Sequence, residues 1–292
     1  MTTHAETEIF SQPEIWEQTM AFYPSVAHLL PAAGERVAFV GCGTSWFMSM
    51  TVAALRESLG LGESDAFTAN EFPLNRKYDR IVAISRSGTT TEVVDLLAKI
   101  TGTPTVIITA VAGSPVTVNA DETILIDFAD EESVLQTRYA TAVLTLLRTH
   151  FGQDLSSLPD QCREILNVPL DPQLLDCEQI SFLGTGWTVG LAHEAALKTR
   201  ESSQFWAEAY PAMDYRHGPI SIAQPGRAVW IFGEPPVGLE DNINALGALV
   251  VTSKMDPMVH LVLAQRVAVA ISQGRGLDTD NPRGLARSIV LN

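Results

Sequence analysis

Short, unbroken apolar runs alternate along the chain with stretches whose apolar residues recur every three or four positions. Residues 13–30, PEIWEQTMAFYPSVAHLL, carry the helical spacing behind a leading Pro13, which predicts an N-terminal helix. Residues 36–60, RVAFVGCGTSWFMSMTVAALRESLG, run from a β-rich apolar segment through a glycine turn into a periodic helix. The same order recurs at 79–102, DRIVAISRSGTTTEVVDLLAKITG, and TPTVIITAVAGSP at 103–115 supplies a further buried strand. EESVLQTRYATAVLTLLRTHFG, at 131–152, reads as one long helix. Short apolar strands alternating with helices predict an α/β fold, a doubly wound parallel sheet covered on both faces.

The pattern then repeats. After a mixed stretch at 153–178, read as a partly helical connection, QISFLGTGWTVGLAHEAALKTRES (179–202) falls in register with the first strand, glycine turn and helix. Gly41 and Gly43 correspond to Gly184 and Gly186, and GRAVWIFGEPPVG stands where DRIVAISRSGTT stands in the first half. This is an internal duplication of one α/β unit. The expected boundaries are 1–34 for an N-terminal helical segment, 35–152 for the first unit, 153–178 for the connection, and 179–292 for the second unit with its tail. The copies differ where it matters: Ser85, Ser87, Thr89 and Thr90 in the first face Gly233, Glu234, Pro235 and Pro236 in the second. Prolines donate no N–H and a glutamate repels anions, so only the first copy suits an anion.

Composition narrows the partners. The chain has 292 residues, 46% hydrophobic and 18% charged, which is ordinary for a soluble globular protein. A net charge of −15 argues against nucleic acid and anionic membrane as main partners. No apolar run approaches the length of a membrane span, and MTTHAETEIF lacks the basic start and apolar core of a signal peptide, so a cytoplasmic location is expected. Cys42, Cys162 and Cys177 show no CxxC spacing, which suggests neither disulfides nor zinc.

The stretch AISRSGTTTEV packs five hydroxyl side chains around Gly88 between an apolar run and a helix. At the C-terminal end of a parallel strand, where free N–H groups and the helix dipole point outward, such hydroxyls form an anion cradle. An ordinary Ser/Thr-rich turn capped by Thr90 or Thr91 is the plainer reading. Thr44 and Ser45 in GCGTS lie at the neighbouring strand end and favour a shared phosphate pocket. Neither loop fits the GxxxxGK[ST] or dinucleotide patterns, so nucleotide binding is disfavoured and no cofactor is expected. In the second half, Glu194, Lys198 and Glu201 share one helix face, an arrangement equally suited to a solvated salt-bridge face. His217 sits in a tight RHGP turn, where a functional histidine is more at home than on an apolar helix face; His150, His193 and His260 read as structural.

Taken in order, GCGTS, SRSGTT, HEAALKTRESSQFWAEAY, RHGP and DNPRGLARSIVLN resemble the double sugar isomerase (SIS) domain family, over about residues 35–292. Within it the chain resembles the isomerase half of glutamine-fructose-6-phosphate aminotransferase. The resemblance implies two flavodoxin-like SIS units and a sugar 6-phosphate site at Ser85, Arg86, Ser87 and Thr90, with Thr44 and Ser45 beside it. It also implies that Glu201 shuttles a proton between C1 and C2 of the open-chain sugar. Lys198 would lie near the sugar, and His217 would assist ring opening across a homodimer interface.

Two departures stand out. Thr2 follows Met1 where the aminotransferases carry a nucleophilic cysteine, so no glutaminase domain is expected. Arg287 replaces the family's Schiff-base lysine; a guanidinium cannot become an imine nucleophile, but is available to steady a phosphate or a substrate carboxylate. Arg86, where the family often has glutamine, is expected to strengthen phosphate attraction at low salt. The implied activity is a phosphosugar isomerase acting on an amino sugar phosphate or a ketosamine 6-phosphate, with possible coupling to loss of ammonia or an amino acid. A non-catalytic sugar-phosphate sensor and a pure scaffold are the other readings.

Overall fold

A computed structural model describes residues 2–291. In chain order the elements of the first half are α1 (His4–Phe10), α2 (Gln12–Val26), β1 (Val37–Gly41), α3 (Thr44–Ser58), β2 (Ser64–Thr68), β3 (Arg80–Ile84), α4 (Thr91–Lys99), β4 (Thr105–Thr109), α5 (Val116–Asn119), β5 (Glu122–Leu125) and α6 (Arg138–His150). The connection holds α7 (Leu158–Asn167) and α8 (Pro172–Leu175). The second half holds β6 (Gln179–Gly184), α9 (Thr188–Ser203), β7 (Ala207–Pro211), β8 (Arg227–Phe232), α10 (Leu239–Ala245), β9 (Leu249–Val251) and α11 (Pro257–Gly274).

The strands form two all-parallel sheets, ordered β2-β1-β3-β4-β5 and β7-β6-β8-β9. Both start from the order 2-1-3-4 of doubly wound sheets, which bears out the α/β fold and its duplication. Gly43 and Gly186, at φ +56 and +58, occupy the same place in the two strand-to-helix turns. Central strands β1, β4 and β6 are buried throughout, as sheets covered on both faces require.

The halves meet through α3 and α9. A Cβ on Gly190 of α9 would run into Thr51 Oγ1 and come within 2.6 Å of the Phe47 carbonyl in α3, so only glycine permits this crossing. One apolar cluster, including Val52, Tyr139, Leu147, Phe182, Leu191 and Val262, continues from one half into the other. Among the described residues no helix is long and apolar enough to cross a membrane.

Two expected helices differ. The segment expected to be helical over 13–30 is preceded by α1, whose first N–H groups, on His4 and Ala5, donate to the Asp280 carboxylate. The helix expected over 131–152 starts only at Arg138. Glu131 folds back instead: its Oε1 accepts from Thr137 N (2.6 Å), Thr137 Oγ1 (2.8 Å) and Arg138 N (2.8 Å), leaving 131–137 irregular. A carboxylate at a helix N-terminus satisfies orphan donors and opposes the positive end of the dipole.

Candidate active site

A cavity of about 160 Å³ opens where the two halves and the C-terminal segment come together. Cys42, Gly43 and Thr44 enter it from the turn after β1, Thr90 from the loop after β3, and Val134 and Gln136 from the irregular segment before α6. Lys198 and Glu201 enter from α9, and Leu285–Ile289 close it from the tail. A larger, open depression of about 700 Å³ near Asp176, Arg227 and Asn244 lies at the N-terminal edge of the second sheet, away from these residues.

Beyond β3 the chain bends at 86–88, and of the expected hydroxyl residues Thr44 and Thr90 line the cavity while Ser45, Ser85 and Ser87 do not. Ser85 and Ser87 are buried, and Ser85 Oγ finds no hydrogen-bond partner among the described residues. Thr89 Oγ1 donates to Ser87 Oγ at 3.1 Å and lies 2.8 Å from Ser288 Oγ in the tail. Thr90 takes the N-cap position of α4 without a side-chain capping bond, and Thr91 N donates to the Ile289 carbonyl at 3.0 Å. Ser45 is buried in the first turn of α3.

Arg86 departs from expectation. Its guanidinium is buried and donates to the carbonyls of Ser133 (2.9 Å), Val134 (3.2 Å) and Arg287 (3.3 Å), with Glu131 Oε2 3.5 Å away. It does not line the cavity, so its charge is committed to these partners. Arg287 does line the cavity, but its guanidinium is held by the Glu131 carbonyl and the Asp130 carboxylate.

On α9 the three charged residues are no solvated face. Glu194 and Lys198 are fully buried, and the Glu201 side chain is 20% exposed. Lys198 Nζ bonds Glu201 and lies 3.7 Å from Glu194 Oε1, which also accepts from Thr44 Oγ1 of the first half at 3.3 Å. Burial, against the pull of Lys198, pushes the Glu194 carboxyl up to about 8, and its Oε2 has no partner among the described residues. In Lys198 the burial penalty is outweighed by Glu194 and Glu201, and the ammonium is held above its ordinary range. The result is a ladder, Thr44–Glu194–Lys198–Glu201, running from the first half to the cavity wall. Sequence reasoning missed Glu194 as a site residue; the signal was its spacing on a helix that both sheets require to be covered.

His217 does not join the ladder. It is exposed at the end of a short 3-10 turn, Asp214–His217, and does not line the cavity. Of the other histidines, His193 stacks on Phe47, His150 meets the Pro31 carbonyl, and His260, pushed down to about 3 by burial, packs against Trp230. Among the described residues no three His, Cys, Asp or Glu side chains gather as a metal site requires.

Residues 30–151 match the family described as SIS domain. The whole chain aligns with a glutamine–fructose-6-phosphate aminotransferase (isomerizing) from Pyrobaculum aerophilum at 27% identity, covering 59% of that protein's length. Its fold superposes on glucosamine-6-phosphate deaminase from Thermotoga maritima with a TM-score of 0.80 at 24% identity, covering 99% of this chain and 100% of that one. It superposes equally on the C-terminal domain of glucosamine-fructose-6-phosphate aminotransferase from Francisella tularensis, with a TM-score of 0.82 at 21% identity over 97% and 98% of the two chains. Residues 30–151 thus match the SIS domain that the sequence motifs resemble, and the fold is shared with these structures over nearly the whole chain.

Proposed function

We propose that the protein is a phosphosugar isomerase acting on an amino sugar phosphate or a ketosamine 6-phosphate. The observation that carries this reading is the buried Glu194–Lys198–Glu201 ladder, which reaches the cavity opposite the hydroxyl loop. Ser85, Ser87 and Thr90 take the phosphate, with Thr44 and Ser45 beside them; the unpartnered Ser85 hydroxyl is a donor in waiting. The open-chain sugar then extends toward α9. Glu201, oriented by Lys198, removes a proton from one of C1 and C2 and returns it to the other through an enediol or enolamine. Glu194, held largely protonated, keeps the ladder from carrying two uncompensated negative charges. Arg287 steadies the far end of the substrate, and His217 of a second copy assists ring opening. The phosphorylated sugar is the partner, and no cofactor takes part in these steps.

Glu201→Gln is the test, against fructose 6-phosphate, glucosamine 6-phosphate, galactosamine 6-phosphate and fructosamine 6-phosphates. The variant should lose about 10²–10⁴ in kcat on whichever substrate the wild type turns over. Binding should persist, with about 2.7 kcal/mol of stabilisation at 100 times the Kd. Wild-type turnover by the variant rules out Glu201 as the shuttle, and stabilisation of the wild type without turnover of any sugar favours a sensor.

A further inference from the structure

Within the loop after β3, Arg86 is the residue whose side chain leaves the hydroxyl cluster. Its backbone is fixed in the sheet, where its carbonyl accepts from Ala110 N (3.1 Å) and Thr109 Oγ1 (3.2 Å). Its guanidinium crosses to two other segments and serves the carbonyls of Ser133 and Val134 on one side and of Arg287 on the other.

The segment 131–134 is a fixed platform. Glu8 Oε1 accepts from Glu132 N (2.6 Å) and Ser133 N (3.3 Å), Glu131 caps α6, and Val134 N donates to the Asp280 carbonyl at 2.9 Å. The tail is clamped to this platform at one residue: Arg287 gives its carbonyl to Arg86 and its guanidinium to Asp130 and Glu131. Ser288 then meets Thr89, Ile289 accepts from Thr91 N, and Leu291 N donates to Thr91 Oγ1 at 2.9 Å. Leu285–Ile289 form the cavity wall that completes the site around Lys198 and Glu201.

We propose that Arg86 is a positioning residue that seats the tail over the cavity, and that it does not bind the phosphate. This rests on the reading of the cavity as a sugar-phosphate site. Arginine suits the task because a planar fork on a long stem serves carbonyls of two segments at once. Glutamine has one amide nitrogen on a shorter stem, and lysine one ammonium.

Arg86→Gln in the full chain should expose the Arg287–Ser288 bond, with tryptic cleavage there, followed by mass spectrometry, about tenfold faster than in the wild type. Affinity for inorganic phosphate should stay within about twofold. Any loss of fructose 6-phosphate affinity should be equal at about 50 and about 300 mM salt, because the guanidinium is already paired and shielded. Asp130→Ala, at the half-exposed end of the clamp, should accelerate the same cleavage and decides the matter if Arg86→Gln does not fold. Unchanged cleavage in the folded variants overturns the proposal, as does a salt-dependent loss of inorganic phosphate binding in Arg86→Gln. If the wild type binds neither probe, the sugar-phosphate reading fails while the cleavage result still judges the seat of the tail.

Discussion

The loops after β3 and β8 stand at equivalent strand ends of two sheets with the same order, yet they treat their polar groups in opposite ways. In the second half the Phe232 carbonyl at the end of β8 accepts from Thr188 Oγ1 (3.0 Å), which belongs to the first turn of α9 and itself accepts from Thr185 N (2.8 Å), so a hydroxyl from the neighbouring strand end is bonded within the fold. In the first half the buried Ser85 hydroxyl has no hydrogen-bond partner among the described residues. The loop after β8 borders an open depression of about 710 Å³ with Gly233, Glu234 and Pro235 in its wall, where the first half has hydroxyls. The second half supplies instead the buried ladder of α9. The two halves thus differ in what they bring to the cavity: turn and loop residues Cys42, Gly43, Thr44 and Thr90 from the first, Lys198 and Glu201 from the second.

The contrast can be broken at four points. Lys198→Met removes the counter-charge of the ladder and strands the Glu201 carboxylate beside Glu194, so urea unfolding should show a loss of about 4 kcal/mol; a loss under about 1 kcal/mol means the ladder is a surface-like pair. Next comes the bracing of the first half. Burial, with Glu131 nearby, pushes Glu8 up to about 7. Between about pH 4.5 and 7 the folded state therefore holds a proton that the unfolded state releases, and stability falls as pH rises. Glu194 adds a slope of the same sign up to about 8. Glu8→Gln should flatten the wild-type curve by roughly 3 kcal/mol between pH 4.5 and 7.5; an unaltered slope would show that Glu8 ionises freely in the folded chain.

A smaller effect compares the loop glycines. A Cβ on Gly88 (φ +64) would fall on Ser114 Oγ, whereas one on Gly233 (φ +78) meets nothing nearer than Thr188 Cγ2 at 3.7 Å. Gly88→Ala should therefore cost about 2–3 kcal/mol and Gly233→Ala about 1 kcal/mol, read from denaturation midpoints. Equal losses would mean that the first loop is no tighter than the second. Smallest is the hydroxyl itself. Ser85→Ala should leave stability unchanged or raise it by up to about 1 kcal/mol, since an unpaired buried group is removed, while Thr188→Val should lose about 1 kcal/mol. Phosphosugar affinity should fall about tenfold only in the Ser85 variant; an undiminished affinity there would leave the Ser85 hydroxyl without a role in binding.

The sequence shows these features unevenly, for physical reasons. Repetition made the duplication legible, because Gly41, Gly43, Gly184 and Gly186 mark the same turn twice, and the hydroxyl loop stood out against its proline-bearing counterpart. Helix spacing brings Lys198 and Glu201 to one face, an arrangement equally suited to a solvated salt-bridge face, and their roles are implied only by the family resemblance. Arg86, expected at the phosphate, has its guanidinium among carbonyls of the 131–134 segment and the tail, partners distant in the chain that no local pattern announces. The irregular 131–137 segment was not legible, because the groups that hold it come from Glu8, Arg86 and Asp280, distant in the chain. Local periodicity there favours a helix; three long-range anchors and a self-capping glutamate override it.

The glycine crossing of α3 and α9 has a kinetic corollary. Backbones pressed together at Gly190 leave no slack for the two halves to swing apart, so substrate entry cannot depend on a domain hinge. Access falls to the tail, which is tied over the opening by a handful of hydrogen bonds, several of them near solvent. Segments of that kind fluctuate on nanosecond to microsecond scales, faster than the microsecond to millisecond motion of whole domains. Admission to this site should therefore be quick and local, with the buried ladder standing still while the doorway moves.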